Sequence, residues 1–180
     1  MNIKGESKCL LVMIVCIVAI IVFLPKTNPV KATTIPAKIE KPNTELPRGI
    51  RNNNPGNLER NSIKWKGMSE NQSDSRFVVF ESPEYGIRAL CRILRTYQNR
   101  YDLRTINEII NRYAPSGENY TEVYIAFVEK ETGYSQNKVL DLSNNDVIMK
   151  LVKAIIKFEN GQQPYDNATI QRGINYENAR

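Results

Sequence analysis

Glu159 stands where the stretch LVKAIIKFENGQQPY, Leu151 to Tyr165, has room for another apolar side chain. Ile148, Leu151, Val152 and Ile155 keep helical spacing, and Glu159 follows four positions after Ile155, just ahead of Asn160-Gly161. Apolar neighbours disfavour an ionised carboxylate, and so does the negative end of a helix dipole. A carboxyl group that holds a proton near neutral pH is what general acid catalysis on a glycosidic oxygen requires. The plain alternative is a frayed last turn that leaves Glu159 solvated and inert. Glu118, in the loop before another helix, is the rival catalytic carboxylate, although an acidic residue is ordinary near a helix N-terminus. Glu81 and Glu84 come next in line.

A second cluster lies in RGIRNNNPGNLER, Arg48 to Arg60. Pro55-Gly56 predicts a type II turn, with glycine taking the positive φ. Around it Asn52, Asn53, Asn54 and Asn57 offer amide donors and acceptors, which suit the N-acetyl groups and hydroxyls of a glycan. Asn and Gly are also common turn formers for purely local reasons. Tyr113, Tyr120 and Tyr124 could line a groove, stacking on sugar rings, or pack as core and rim residues. The candidate glycan-binding residues are Asn54, Asn57, Tyr113, Asn119 and Tyr120.

Composition narrows the chemistry. The 180 residues include no histidine, which removes Ser-His-Asp and Cys-His catalysis and every His-ligated metal site. Cys9 and Cys16 lie in an apolar run and Cys91 stands alone, so neither a disulfide framework nor a CxxC clasp can be built. No cofactor and no metal is expected. The net charge of +6 suits anionic peptidoglycan, and equally nucleic acid or an anionic membrane. No zinc finger, RNP-like motif or basic helix points to nucleic acid, so none is expected as a partner.

These side chains need elements to hold them, and the pattern predicts a small, mainly α (α+β) domain from residue 48 to 180. Arg76 to Phe80, RFVVF, reads as its one short strand. Ser82-Pro83 opens a helix with Ile87, Leu90, Cys91, Leu94, Tyr97 and Tyr101 on one stripe. Thr105 to Glu108 is a capping box opening a second helix, with Ile106, Ile109, Ile110 and Tyr113 inward, which stops at Pro115. Asn119 to Glu122 starts a third, carrying Tyr120, Tyr124, Phe127 and Val128 and ending near Gly133. Ser143 opens the fourth, which runs to Glu159. No internal repeat and no phosphate-binding glycine loop is present.

Ahead of this domain, residues 1–8 form a short tail and Cys9 to Leu24 an uninterrupted apolar run. As a helix the run spans roughly 24 Å, slightly short of a usual membrane span of ~20 residues and longer than the ~7–15-residue core of a signal peptide. It is read as a single-pass membrane anchor with the C-terminal domain exported; a cleaved, secreted form is the alternative. Residues 25–47 hold Pro25, Pro29, Pro36, Pro42 and Pro47 and read as an extended linker.

The succession RGIRNNNPGNL, Trp65-Lys66-Gly67, FVVFESPEYGIRAL, INRYAPSGENYTEVYIAFV and AIIKFENGQQPY resembles a domain of phage and prophage virion proteins. That domain is similar to the lysozyme-like superfamily of goose-type lysozymes and lytic transglycosylases. The resemblance covers nearly all of Arg48 to Gly173. RYAPSGENYTEVYIAFV resembles the Tyr-Asn-x-Gly segment of transglycosylases with its following tyrosine, and NNNPGNL resembles the loop beside the catalytic glutamate of related glucosaminidases. In those enzymes the glutamate precedes the loop, at the C-terminal end of a helix; here Glu159 follows it. The resemblance therefore implies a circularly permuted lysozyme-like fold.

Peptidoglycan cleavage of the lytic transglycosylase or muramidase type is the expected function. A transglycosylase can work with one Glu, whereas a two-carboxylate glycosidase needs a second about 5–9.5 Å from the acid. The main alternative is a non-catalytic cell-wall-binding or virion structural protein of the same fold. A third is a membrane-tethered interaction module, in which anchor and linker are the working parts.

Overall fold

In the computed structural model residues 46–115 and 120–178 are described, and all lie within one compact unit. The expected N-terminal tail, the apolar run 9–24 and linker residues 25–45 lie outside them. Among the described residues no helix is long and apolar enough to cross a membrane. They carry six helices: α1 (Arg48–Arg51), α2 (Pro83–Tyr101), α3 (Ile106–Tyr113), α4 (Thr121–Thr132), α5 (Asn145–Asn160) and α6 (Asn167–Asn178). The mainly helical expectation holds.

Local chemistry explains most boundaries. Pro83 at the first position of α2 lacks only an N–H that a helix start would leave unpaired anyway. The Thr105 hydroxyl accepts from the Glu108 backbone N–H at 3.2 Å, and the Glu108 carboxylate accepts from the Thr105 N–H at 3.0 Å, completing the capping box. Gly133 and Gly161 stop α4 and α5 in the left-handed conformation, at φ 72° and 67°.

Other expectations need correcting. The stretch Arg76–Phe80 makes no regular strand: Phe77 and Phe80 form only isolated antiparallel bridges, with Glu59 and Met68. Its polar groups are met partly by scattered loop backbone, as when Val78 N–H donates to Leu58 O and Phe80 N–H to Asn52 O, and partly by side chains, as when Gln72 accepts from Val79 N–H and donates back to Val79 O. Asn144, not Ser143, caps α5, its side chain accepting from Asp146 and Val147 N–H. Tyr101 falls off the buried stripe of α2 and is exposed. The short α1 and the closing α6 were not anticipated.

The core has two parts. The larger gathers Ile87, Leu90 and Leu94 of α2, Ile106, Ile109 and Ile110 of α3, Tyr124 and Val128 of α4, and Ile148, Leu151 and Ile155 of α5. Each aliphatic side chain so buried contributes about 1.5–3 kcal/mol relative to exposure. Leu58, Val78, Phe80 and Ala89 form a smaller core beneath the loop that follows α1. Cys91 is a buried free thiol whose pKa burial pushes up to about 12, which makes it a packing residue.

Candidate active site

The C-terminal turn of α5 meets the loop after α1, bringing together residues 102 positions apart. Asn57 donates its side-chain amide to Glu159 Oε2 at 3.0 Å and to the Glu159 carbonyl at 3.3 Å. From α4 the Tyr124 hydroxyl donates to Glu159 Oε1 at 3.0 Å. Each carboxylate oxygen thus has its own protein donor. Next to Glu159, the Asn160 amide donates to Pro55 O at 2.8 Å and Ile156 O at 2.9 Å, joining the helix end to the loop.

The loop has the conformation to do this. The Asn57 N–H donates to Asn54 O at 2.9 Å and closes a turn over Pro55-Gly56. It is not the expected type II turn, because the positive φ falls on Asn53 (51°) and Asn57 (50°) rather than on Gly56. Asparagine tolerates that region better than most residues, and here it aims the Asn57 amide at α5. Gly49 lies underneath: a Cβ there would sit 2.5 Å from Asn160 Oδ1, 2.6 Å from Asn57 Oδ1 and 2.9 Å from Asn54 O. Only a glycine lets both amide side chains approach α1 so closely.

Asp74 secures the start of the loop. Its two carboxylate oxygens accept from Arg48 Nε and Nη2 at 2.6 Å each, and Oδ2 also accepts from Asn52 at 2.7 Å. The backbone N–H groups of Arg76 and Phe77 donate to it at 2.9 Å. Arg48 above all holds the Asp74 carboxyl well below the usual carboxylate range.

Electrostatics at Glu159 follow its position. Burial raises its pKa above the ordinary value, while the hydrogen bonds from Asn57 and Tyr124 pull it back. Burial, and then the neighbouring Glu159 charge, hold the phenols of Tyr113 and Tyr124 well above their usual pKa, so both stay protonated and Tyr124 acts as donor. Tyr124 is fixed by stacking on Phe158, ring centroids 3.6 Å apart.

Glu159 opens onto a groove of about 480 Å³, walled by Gly56, Asn57, Glu59, Arg76, Phe77, Ile93, Tyr97 and Tyr113. A larger hollow of about 580 Å³, lined by Arg92, Arg95, Arg100 and Glu177, holds none of the candidate residues. The volume of the first lies in the ordinary range of ligand pockets, with aromatic and amide groups on its walls.

The sequence candidates divide on this geometry. Asn57, Tyr113 and Glu159 meet at the groove, and the Tyr113 hydroxyl donates to Gly56 O. Asn54 is a correction: it is 0% exposed, and its side chain is consumed by Leu58 N–H, Leu58 O and Val78 O. It shapes the loop and has nothing left for a ligand. Tyr120 is 84% exposed and is not among the groove residues. Glu118 and Asn119 lie outside the described residues. Glu81 is exposed, Glu84 pairs with Arg172 at 2.9 Å, and neither lines the groove.

The residues that were missed are Asn160, Arg76, Phe77, Ile93 and Tyr97. An amide directly before the glycine that ends a helix was the available signal for Asn160. Nothing local marked the rest.

No protein-family model matches the chain. Over 135 residues it is 42% identical to Protein P5 of Pseudoalteromonas phage PM2, an alignment covering 73% of this chain and 82% of that protein. That this relative is a phage protein agrees with the phage association expected from the sequence.

Proposed function

The chain belongs to the family of Protein P5, and from the geometry around Glu159 we propose that it cleaves the glycan strands of peptidoglycan, with Glu159 as the catalytic acid. One observation carries the reading. A carboxyl group whose pKa burial raises sits at the edge of a groove, gripped by two neutral donors, Asn57 and Tyr124. A buried structural glutamate is usually paired with a cation; here no cation is within salt-bridge range among the described residues, and the group is free to hold or release a proton.

In this reading the fold is a lysozyme-like one with the acid-bearing helix moved to the end of the domain, and the apolar run from Cys9 to Leu24 anchors the domain to a membrane. Protonated Glu159 gives its proton to the glycosidic oxygen as the C1–oxygen bond breaks, leaving an oxocarbenium-like sugar and a carboxylate. Asn57 and Tyr124 then stabilise the new negative charge, as donors aimed where charge develops. The carboxylate removes a proton from the nucleophile that closes on C1, either the C6 hydroxyl of the same muramic residue or a water molecule. The first gives an anhydro end, the second a reducing end.

Zymography on purified peptidoglycan with the full-length chain tests the reading, and mass spectrometry of the fragments separates the two products. Comparing Glu159→Gln with Glu118→Gln decides between the carboxylates. Binding of peptidoglycan without any cutting supports the non-catalytic wall-binding protein instead.

A further inference from the structure

The groove carries a charged pair that the cleavage reading does not use. Arg76 Nε and Nη2 both reach Glu59 Oε1, at 2.7 and 2.5 Å, and both residues line the groove that Glu159 faces. Their side chains are 61% and 58% exposed. Arg48 offers an instructive contrast, because both arginines lie against Phe77, 4.6 and 5.1 Å from its ring centre. Arg48 spans both oxygens of Asp74, which is 8% exposed, and so belongs to the framework. Arg76 shares a single oxygen of a solvated partner, an arrangement that stabilises little and opens readily to a competing carboxylate.

Resting on the cleavage reading, we propose that Arg76 is a specificity residue that takes the carboxylate carried on the muramic acid branch of the substrate, with Glu59 occupying the guanidinium until the substrate displaces it. Phe77 fixes the height of the guanidinium in the wall through its ring face. A guanidinium presents paired N–H donors that match a carboxylate, which no hydroxyl or N-acetyl group of the glycan backbone can do. The groove then distinguishes peptidoglycan from chitin, whose repeating units carry no acid. The acid has two sources, the free lactyl carboxylate of a peptide-free strand and the carboxylates of the stem peptide.

Binding to the full-length chain is measured by calorimetry at low salt with three probes: neutral chitotetraose, peptide-free muramyl tetrasaccharide, and the same tetrasaccharide bearing stem peptides. The wild type is expected to prefer an acidic probe, and Arg76→Gln to weaken that binding about tenfold, as for loss of a partly solvated charge-assisted pair. Chitotetraose binding should not change. Glu59→Gln, which removes the competitor, should strengthen acidic-probe binding or leave it unaltered. Preference for the peptide-free or the peptide-bearing strand identifies the source of the carboxylate. Equal affinity for all three probes, or an Arg76→Gln effect on chitotetraose as large as on the acidic probes, overturns the specificity role and leaves the cleavage reading standing. Binding of none of them overturns both.

Discussion

The Tyr124 hydroxyl donates to Glu159 Oε1 at 3.0 Å across the interface between α4 and α5, and the ring it belongs to stacks on Phe158, the residue immediately before Glu159. One tyrosine therefore positions both the backbone turn and the carboxylate it carries.

Replacing that phenol tests how the acid is tuned. The hydroxyl favours the ionised form of Glu159, so Tyr124→Phe should raise the Glu159 pKa further. The limb of the pH–rate profile that reports loss of the acid's proton should move to higher pH. An unmoved limb with an intact fold would mean that Glu159 is not the group seen in the profile.

Glu159→Gln is expected to lower glycan cleavage by about 10²–10⁴-fold, the range for losing a positioned acid or base. The amide can accept from Asn57 and donate to the Tyr124 oxygen, so circular dichroism should show an unchanged fold. The sign of its stability effect follows from burial. A carboxyl whose folded pKa is raised is most favourable to folding below its unfolded pKa, and that benefit is lost as pH rises through the folded value. The variant should therefore melt at or above the wild-type temperature near pH 7, with the difference closing as pH falls through the raised folded pKa, where wild-type Glu159 takes up its proton, and gone by the unfolded pKa of about 4.3.

Gly49→Ala should damage both fold and activity. Its methyl would meet two amide oxygens and a carbonyl at 2.5–2.9 Å. An overpacked site of this kind costs about 1–3 kcal/mol, readable as a lower urea midpoint. If the loop moves to relieve the clash, Asn57 leaves Glu159, and cleavage should fall by more than the loss of folded protein accounts for. Retention of full activity would contradict the role given to the loop.

Asp74 contributes to the acid limb of stability. Its pKa is held low in the folded state, so its contribution is present above the unfolded pKa near 3.8 and is lost as pH falls toward the folded value. Asp74→Asn should be less stable than wild type at pH 7, with the gap narrowing below pH ~4. Thermal melts across pH 2–7 measure this directly.

The helices were legible because their signals are local. The Thr105 capping box, Pro83 at a first position, and the stripes through Leu90, Ile109 and Ile155 each depend on a few neighbouring residues. Glu159 was legible for the same reason, as a polar residue that breaks an apolar stripe. Asn54 misled because four asparagines in one loop look alike in sequence. Which one points inward is decided by Leu58 and Val78, the latter 24 positions away. The apparent strand at Arg76–Phe80 has the right alternation but no partner long enough to pair with it. Groove residues such as Arg76 and Tyr97 are joined only by tertiary packing, which no spacing rule encodes.

The loop at Asn52–Asn57 opens the described domain and Glu159 comes near its close, so the constellation has a built-in order of assembly. A chain translated as far as residue 150 already contains the Asn57 amide, Tyr124 and most of the groove wall, yet lacks Glu159, the proton donor of the proposed reaction. On the cleavage reading, a truncated product that stops before Glu159 should be inactive, whatever else of it folds.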